Sequence, residues 1–547
     1  MQIERLNRKY LPFVIGTLIW GITVLWINFH GAQWFNFDMF ADATVAKRMA
    51  EQHTFFPKDW LFGNQYYIIA TPAVAALLYS IFHNSILSMA CASSLMFLLI
   101  LLCFRWSFRP VLSKPALWIG MFCLAGTTIL GDSISSSTYG FQILYTMASY
   151  YACYLLVLLL HLGIWIRMEK EMPVSPLLFL LTLAACFALG IQSQREMLTL
   201  CIPFLLMTLF LWLRDRTGLG EKKSLVFALS SLGANLVGLL CNGYIRQHQG
   251  SRYLSNVSGI DDAAHGTMGT RISESAKAFL DLVGLRYVHY GWKWKLLAVL
   301  GLLLLGLTLT ALLLCLKRKD RTGSRTLLFC WLSLFGVFAA GVLVVQVRAI
   351  YYFVWYLLVP LSASYLFEHL AGKKRAFLCA LVLLCGAMNY FYNVYPDAAK
   401  YQAQKQFYSE IVSWLEENEI STIYGDYQTP TIAACSEDRI EFCSVFPNTA
   451  ANGDDQSSLL VPYGSPVATE RYRDIHPEQS VLILSDSPYD EMSGYRYLEN
   501  YMEEAYQSRF HACFTREACF ESPQVTYYIY SFSDPEIIAR GQITDKT

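Results

Sequence analysis

The sequence has little charge for its length, and the charges that it has cancel. Only 15% of the 547 residues are Asp, Glu, Lys or Arg, and 42 basic side chains are balanced by 42 acidic ones. An average soluble protein has about 25% charged residues, so this composition excludes a purely cytosolic enzyme. The lack of a basic excess excludes a nucleic-acid-binding protein with a basic surface, and the abundance of apolar residues excludes a disordered chain.

Three other patterns are missing. The 15 cysteines contain no CxxC pair, which is the usual spacing of zinc and redox motifs. No segment repeats at intervals of about 20–50 residues, which excludes a solenoid of tandem repeats. No small-residue cleavage site follows the first apolar segment, so we expect that segment to be retained as a membrane anchor.

Long apolar stretches dominate the first two thirds of the chain. Residues of the types AVILMFWYC make up 55% of the sequence, and the mean hydropathy is +0.35. A membrane-spanning helix needs about 20 mostly apolar residues in a row. The sequence therefore predicts a polytopic α-helical membrane protein with about 11 transmembrane helices. The predicted spans are 11–29, 85–104, 115–131, 141–166, 175–191, 197–213, 225–245, 296–316, 327–346, 350–370 and 376–392.

One further apolar stretch, 66–83, decides the topology. If it crossed the membrane, the basic segments 105–114 and 167–170 would lie on opposite sides. If it lies at the membrane surface, every basic loop falls on one side, as the positive-inside rule requires. We therefore predict an interfacial 66–83, a cytoplasmic N-terminus, and two long outer loops, 30–84 and 246–293.

Charge is divided unevenly along the chain. Residues 391–547 contain 10 basic and 25 acidic residues, whereas the first 390 contain 32 basic and 17 acidic ones. This division predicts a transmembrane domain over 1–392 and a solvated extracytoplasmic domain over 393–547. Helical periodicity over 398–419 and strand-like runs at 481–487 and 525–532 predict an α/β fold for the second domain.

The second domain contains four cysteines. In an oxidising compartment they could form disulfides, Cys513 with Cys519 by proximity, but the sequence does not determine how Cys435, Cys443, Cys513 and Cys519 pair. The eleven cysteines in or beside the predicted spans are expected to be small core residues.

The first outer loop begins with two acids four residues apart, Asp38 and Asp42. In a helix this spacing puts both carboxylates on one face. An acid at the end of a membrane span is partly removed from water. This changes its proton affinity in a way that suits a general base. The alternative is that both acids only cap a helix at the membrane surface.

This loop resembles the first loop of GT-C fold glycosyltransferases, a group that includes the lipid-A aminoarabinose transferases and the protein O-mannosyltransferases. The resemblance lies in an Asp directly after the first span, a helix that reaches Met49, and the following segment FFPKDW. Many members have Asp-Glu where this chain has Asp38-Met39, although Asp42 could take the place of the second acid.

The resemblance implies transfer of a sugar from a polyprenyl-phosphate donor at the outer side of the membrane. In this reading Asp38 is the catalytic base. Arg195 and Arg348 bind the donor phosphate, with Tyr351 or Tyr352 beside them. The alternative for each arginine is an interfacial position or an ion pair with Glu196.

Other outer residues are weaker candidates for substrate contact. Asp132 could orient the acceptor or cap a helix, and His265 and His289 lie in the Gly/Ser-rich second loop. The aromatic residues of the first loop, among them Tyr67, fit both an interfacial belt and sugar stacking. No cofactor is certain from the sequence. Asp38 together with Asp42 or Asp132 could hold a divalent metal if the fold brings them together.

The leading interpretation is an inverting glycosyltransferase of a plasma membrane, bacterial in type. Its partners are a polyprenyl-phosphate sugar donor and a glycan, polymer or lipid acceptor of the cell envelope. The alternative is a transporter or flippase of lipid-linked saccharides, and a third interpretation is a non-catalytic scaffold. A transporter is expected to have internal repeats and charged residues near the middle of the membrane.

Overall fold

The structure is a computed structural model, and it describes most of the chain. The described residues are 2–35, 37–58, 60–62, 65–127, 145–146, 151–214, 219–248, 252–253, 267–285, 291–343, 349–391, 401–448, 458–462, 475–488, 490 and 493–538.

Helices make up the N-terminal part. In chain order, with one short strand on each long loop, the elements are α1 (Gln2–His30), α2 (Phe37–Glu51), β1 (Leu61–Phe62), α3 (Thr71–Phe82), α4 (Ser85–Phe108), α5 (Lys114–Phe122), α6 (Ala152–Glu169), α7 (Pro176–Gln192), α8 (Ile202–Arg214), α9 (Leu219–His248), β2 (Arg252–Tyr253), α10 (Met268–Asp281), α11 (Trp292–Lys317), α12 (Arg321–Leu343), α13 (Trp355–His369) and α14 (Gly372–Asn389).

Within the described residues, seven helical segments are long and apolar enough to cross a membrane. They are Tyr10–His30, Ser85–Phe108, Ala152–Glu169, Lys222–His248, Trp294–Lys317, Arg321–Leu343 and Ala349–His369. This finding supports a polytopic membrane protein. Seven of the eleven predicted spans meet this criterion of length and apolar composition. The helices at 115–131, 175–191 and 197–213 are too short for it, and α14 is not among the helices that meet it.

The stretch 66–83 does not form a long helix. Its helical part, α3, has 12 residues, a length of about 18 Å, whereas the apolar core of a bilayer is about 30 Å thick. One face packs on α2 and α4, and Leu77 and Ile81 on the other are 70% and 69% exposed. These properties agree with the predicted position at the membrane surface.

Contacts between loops define two ends of the helical part. At one end, the Arg325 guanidinium pairs with Glu169, and the Ser113 backbone N–H donates to Glu368 at 2.5 Å. These residues belong to, or adjoin, the basic loops. The first outer loop lies at the other end of α4, a helix of 24 residues and thus about 36 Å long. The His369 imidazole also pairs with Asp320, so the basic segments near 105–114, 167–170, 317–325 and 373–375 lie at one end.

The two long outer loops meet each other. Strand β1 of the first loop pairs in parallel with β2 of the second, with Leu61 opposite Arg252 and Phe62 opposite Tyr253. Helix α10 of the second loop packs on α12 and on the 3-10 turn Ala349–Tyr352. Both loops thus lie at one end of the molecule.

The C-terminal part contains a mixed sheet. Its elements are α15 (Tyr401–Glu417), β3 (Thr422–Gly425), α16 (Pro430–Cys435), β4 (Glu441–Pro447), β5 (Leu460–Pro462), β6 (Ser480–Asp486), α17 (Gly494–Tyr501), α18 (Glu504–Cys513), β7 (Phe514–Glu521) and β8 (Thr526–Phe532).

The six strands are ordered β5-β4-β3-β6-β8-β7. Strand β3 pairs in parallel with β4 and β6, and β8 runs antiparallel to β6 and β7. Buried side chains form a core on each face, one around Tyr424 and Leu482 and the other around Ile411 and Ile483. The expected α/β character of this region is confirmed. The domain boundary at 392/393 lies outside the described residues and stays a prediction.

The suggested pairing of Cys513 with Cys519 is wrong. All 15 cysteines are free thiols. Cys513 ends α18, and Cys519 lies in the extended strand β7. At about 3.3 Å per residue, five residues of strand hold the two Cα atoms far beyond the roughly 7 Å that a disulfide allows.

The sheet domain docks on the first outer loop. The Thr431 hydroxyl of α16 donates to the Phe35 carbonyl at 2.6 Å, and the Phe40 and Phe442 rings make an edge contact at 5.6 Å. The Ser85 hydroxyl donates to the Asp438 carboxylate at 2.6 Å. The domain therefore lies at the same end of the molecule as α2.

Candidate functional site

The predicted helix after the first span is present as α2, and it separates the two acids by exposure. Asp38 lies in the first turn, where an acid interacts favourably with the helix dipole, and its side chain is exposed. Asp42, one turn later, is 2% exposed. The apolar residues of the same face, among them Val45 and Met49, are buried against the rest of the protein and draw Asp42 inside with them.

The Asp42 carboxyl has an unusual environment. Burial raises its pKa well above the ordinary value of 3.8; the Tyr67 hydroxyl beside it opposes this, and the nearby Asp38 charge adds to it. Its Oδ2 atom has no hydrogen-bond partner among the described residues. Asp42 is therefore a carboxyl that holds its proton more tightly than an exposed acid does.

Tyr67 connects the acids with Arg195. Burial is the main cause that raises the pKa of this phenol, the charges of Asp42 and Asp38 raise it further, and the Arg195 charge lowers it. The two carboxyl groups and the guanidinium thus all act on the Tyr67 hydroxyl. Asp38 and Arg195, which are more than 150 positions apart in sequence, therefore both act on Tyr67.

Arg195 is held by a network of polar side chains. Its guanidinium donates to the Gln65 side-chain carbonyl at 2.5 Å, and the Tyr154 hydroxyl reaches the same oxygen at 3.3 Å. Tyr154 also contacts the Ser193 hydroxyl at 2.6 Å and accepts from the Gln192 amide at 3.1 Å. This network fixes the position of Arg195.

Two aromatic rings flank the Arg195 guanidinium. Its central carbon lies 5.2 Å from the Tyr151 ring centroid and 5.8 Å from that of Tyr351, within the range of a cation–π contact. The Tyr352 hydroxyl instead donates to the Ser275 carbonyl at 3.2 Å, and its side chain is buried. Of the two predicted tyrosines, Tyr351 is the one beside Arg195.

The alternative role for Arg195, an ion pair with Glu196, is not observed. Glu196 is fully buried, and neither carboxylate oxygen has a hydrogen-bond partner among the described residues. Burial raises the pKa of this carboxyl well above its ordinary value of 4.5. Although the two residues are adjacent in sequence, the Arg195 side chain lies in the polar network, whereas the Glu196 carboxyl is buried away from it.

The remaining predicted site residues, Asp132, His265, His289 and Arg348, lie outside the described residues. Of the predicted site residues that the structure describes, Asp38, Asp42 and Arg195 all act electrostatically on Tyr67, and Tyr351 lies beside Arg195.

Sequence reasoning missed the supporting residues Gln65, Tyr154 and Gln192, and it named Tyr67 only as an aromatic residue of the loop. One signal was available, because Gln192 is a polar residue at the end of an apolar helix, where an unpaired amide is costly. The partners of Gln192 could not be found in this way, since they come from other parts of the chain.

Comparisons with known proteins assign no family. No protein-family model matches the chain, and no curated protein sequence matches it significantly. The chemistry of the site is therefore argued from its own residues.

Proposed function

We propose that the protein is an inverting membrane glycosyltransferase that uses a polyprenyl-phosphate sugar donor. The observation that carries the proposal is the grouping of an exposed acid, Asp38, with Arg195 around Tyr67. A transferase of this kind needs one base for the acceptor and at least one cation for the departing phosphate.

The proposed reaction has a simple balance. Asp38 takes the proton of an acceptor hydroxyl while the hydroxyl oxygen forms a bond to the anomeric carbon. The bond between that carbon and the lipid-phosphate oxygen breaks, and the phosphate leaves with the electron pair. Arg195, together with the predicted Arg348, stabilises the negative charge that grows on the phosphate.

Asp38 and Asp42 have different roles in this proposal. Asp38 is exposed and therefore open to an incoming hydroxyl. Asp42, with its raised pKa, stays beside Tyr67 and positions the phenol. Tyr351, next to the guanidinium, lines the place where we expect the phosphate.

The orientation and location follow from the charge pattern. We infer that the end with the basic loops faces the cytoplasm and that α2 and the sheet domain lie outside, as the positive-inside rule indicates. The setting we propose is a plasma membrane, with a glycan, polymer or lipid of the cell envelope as acceptor.

The test is transfer by purified protein. Polyprenyl phosphates carrying radiolabelled hexoses, pentoses or amino sugars are incubated with cell-envelope glycans and lipids as acceptors. We expect acceptor-dependent release of polyprenyl phosphate, and we expect Asp38→Asn to lower the rate by about 10²-fold or more.

The matched control for this variant is Glu51→Gln, which neutralises another exposed acid of α2. It is expected to keep the wild-type rate. Equal rates for Asp38→Asn and wild type, with both folded, would remove Asp38 from the mechanism.

One observation favours the alternative, a transporter of lipid-linked saccharides. Glu196 and His161 are both fully buried in the helical part, and neither Glu196 carboxylate oxygen has a hydrogen-bond partner among the described residues. Ionisable groups inside a helical bundle are typical of transport pathways. A transporter would move labelled lipid across reconstituted vesicles without cleaving the bond between sugar and phosphate.

A further inference from the structure

The ends of three consecutive helices meet at the end of the molecule that carries the basic loops. Cys315 lies in the last turn of α11, Asp320 directly precedes α12, and His369 is the last residue of α13. The thiol, one carboxylate oxygen and one imidazole nitrogen all lie within 4.8 Å of one another.

The backbone explains how Cys315 and Asp320 come so close. After α11 the chain turns through Lys319, whose φ of 56° is left-handed. The Asp320 N–H then donates to the Cys315 carbonyl at 2.9 Å, which is a helix-ending hydrogen bond of the Schellman type. The turn therefore places the carboxylate next to the preceding turn of α11.

Ordinary structural roles account for only part of this cluster. One Asp320 oxygen accepts from the Gly323 N–H at 2.9 Å, which caps α12, and the other lies 2.9 Å from the His369 Nε2 atom. These contacts explain the acid and the histidine. They do not account for the buried Cys315 thiol, which lies within 4.8 Å of both groups.

A second observation concerns Tyr365, one turn before His369 on α13. Its side chain is 1% exposed, and its hydroxyl lies within reach of the Thr326 side chain. A Cβ on Gly323 would be 2.5 Å from an Asp320 oxygen and 3.0 Å from the Tyr365 ring. The buried Tyr365 side chain therefore packs beside the turn that carries Asp320.

We propose that Cys315, Asp320 and His369 bind a zinc ion. Thiolate, imidazole and carboxylate are the three ligand types that Zn²⁺ takes in proteins, at about 2.0–2.3 Å in a tetrahedron. That geometry separates ligand atoms by about 3.3–3.6 Å, so closure of the cluster needs shifts of only about 1 Å. The thiol proton is released on binding, and the imidazole binds in its neutral form.

The donor set discriminates among metals. Ca²⁺ and Mg²⁺ take oxygen ligands almost alone, so a thiol and an imidazole exclude them. The fourth position of the tetrahedron is open to a water molecule.

The site joins three helices rather than serving the reaction. Helix α13 has 15 residues, so His369 lies about 21 Å from Trp355 along the helix axis. Tyr351 and Arg195 lie beyond the Trp355 end. The zinc ion thus stabilises the far end of the helix that follows Tyr351, and the inference does not rest on the proposed transfer activity.

Metal binding to the full-length protein in detergent tests the proposal. After treatment with a chelator, the protein is titrated with ZnCl₂ and followed by calorimetry and thermal unfolding. We expect one zinc per chain and a higher unfolding midpoint, because a ligand that binds only the folded state stabilises it. With Co²⁺ in place of zinc, a thiolate-to-cobalt charge-transfer band is expected.

The variants Cys315→Ser and His369→Gln are expected to weaken zinc binding by at least about tenfold, and Cys315→Ser abolishes the cobalt band. Cys330→Ser, which changes another buried cysteine on α12, serves as the matched control and retains both. Wild-type zinc affinity in folded Cys315→Ser protein, or no binding by the wild type, would overturn the proposal. If Cys315→Ser does not fold, His369→Gln and the cobalt spectrum of the wild type decide the question.

Discussion

Two carboxyl groups one helical turn apart differ sharply in α2. Asp38 faces solvent, whereas Asp42 is removed from water and lies beside Tyr67. Both lie on the same face of the helix, but Asp38 is in the exposed first turn, whereas Asp42, one turn further in, packs among the buried residues of that face. Removal from water disfavours the charged form of an acid, so the two groups have different chemistry despite being the same residue type.

The raised pKa of Asp42 predicts a pH-dependent stability. The unfolded chain loses this proton near pH 3.8, and the folded chain loses it only at a higher pH. Between these values the folded state binds one more proton, so the free energy of unfolding falls with rising pH, by about 1.4 kcal/mol per unit. Denaturant titrations of detergent-solubilised protein across this range measure the slope.

Asp42→Asn removes the titrating group and is expected to flatten that slope. Glu51→Gln, at an exposed position of the same helix, should leave it as in the wild type. An unchanged slope in Asp42→Asn would show that other groups cause the pH dependence.

At the scale of elements, a short extended segment of the first loop is clamped to the connection between α7 and α8. The Tyr66 N–H donates to the Gln192 carbonyl at 3.0 Å, and the Ile68 N–H donates to the Gln192 side chain at 3.3 Å. These bonds flank Tyr67 and adjoin Arg195. The clamp therefore connects the loop segment that carries Tyr67 to the turn that carries Arg195.

Gln192→Ala is expected to loosen the clamp. It leaves the Ile68 N–H and the Tyr154 hydroxyl short of a partner, which costs about 1–3 kcal/mol when the groups are buried. The measurement is the unfolding free energy, together with the apparent KM for the donor, which should rise because Arg195 is less well held. Gln194→Ala, at an exposed neighbour, should change neither quantity.

At the scale of the whole molecule, the sheet domain is joined to the membrane part by a contact at the start of α4. The Asp438 carboxylate accepts from the Ser85 backbone N–H and hydroxyl. A negative charge at a helix N-terminus is stabilised by the exposed N–H groups and the helix dipole. This contact orients the domain over the first outer loop.

Asp438→Gly is expected to weaken the docking by about 1.5–3 kcal/mol, as for the loss of hydrogen bonds to a charged group. Glycine suits the φ of 69° at this position, so the backbone is not strained. Hydrogen exchange of the first turn of α4 and of α16 measures the effect.

Glu437→Gly provides the control, since Glu437 is exposed and also has a positive φ, 53°. Equal exchange in the two variants would indicate that the Asp438 carboxylate does not hold the domain.

The proposed topology predicts the sidedness of two positions. An epitope tag after Thr547 should be accessible from outside intact cells, whereas a tag inserted after Asp320 should be accessible only after permeabilisation. Immunofluorescence with and without detergent distinguishes them. Accessibility of both tags from one side would contradict the placement of the basic loops at the cytoplasmic end.

Periodicity and charge predicted the parts of the fold that depend on local sequence. The lack of a long helix in 66–83, the helix after the first span and the α/β character of the tail all have a signal within about 20 residues. The same reasoning suggested a disulfide between Cys513 and Cys519, which was wrong because proximity in sequence does not imply proximity in an extended strand. It could not find Gln65 or Tyr154, whose partners lie far along the chain.

The sequence by itself determined that this chain resides in a membrane, because the solvation of apolar and charged residues depends on composition and order alone. Only the tertiary structure decided that Asp42 is buried beside Tyr67, that Arg195 joins them, and that Cys315 meets Asp320 and His369. Such groupings depend on how distant helices pack, and packing is set by the fit of many side chains at once. A linear pattern does not encode that fit at any single position.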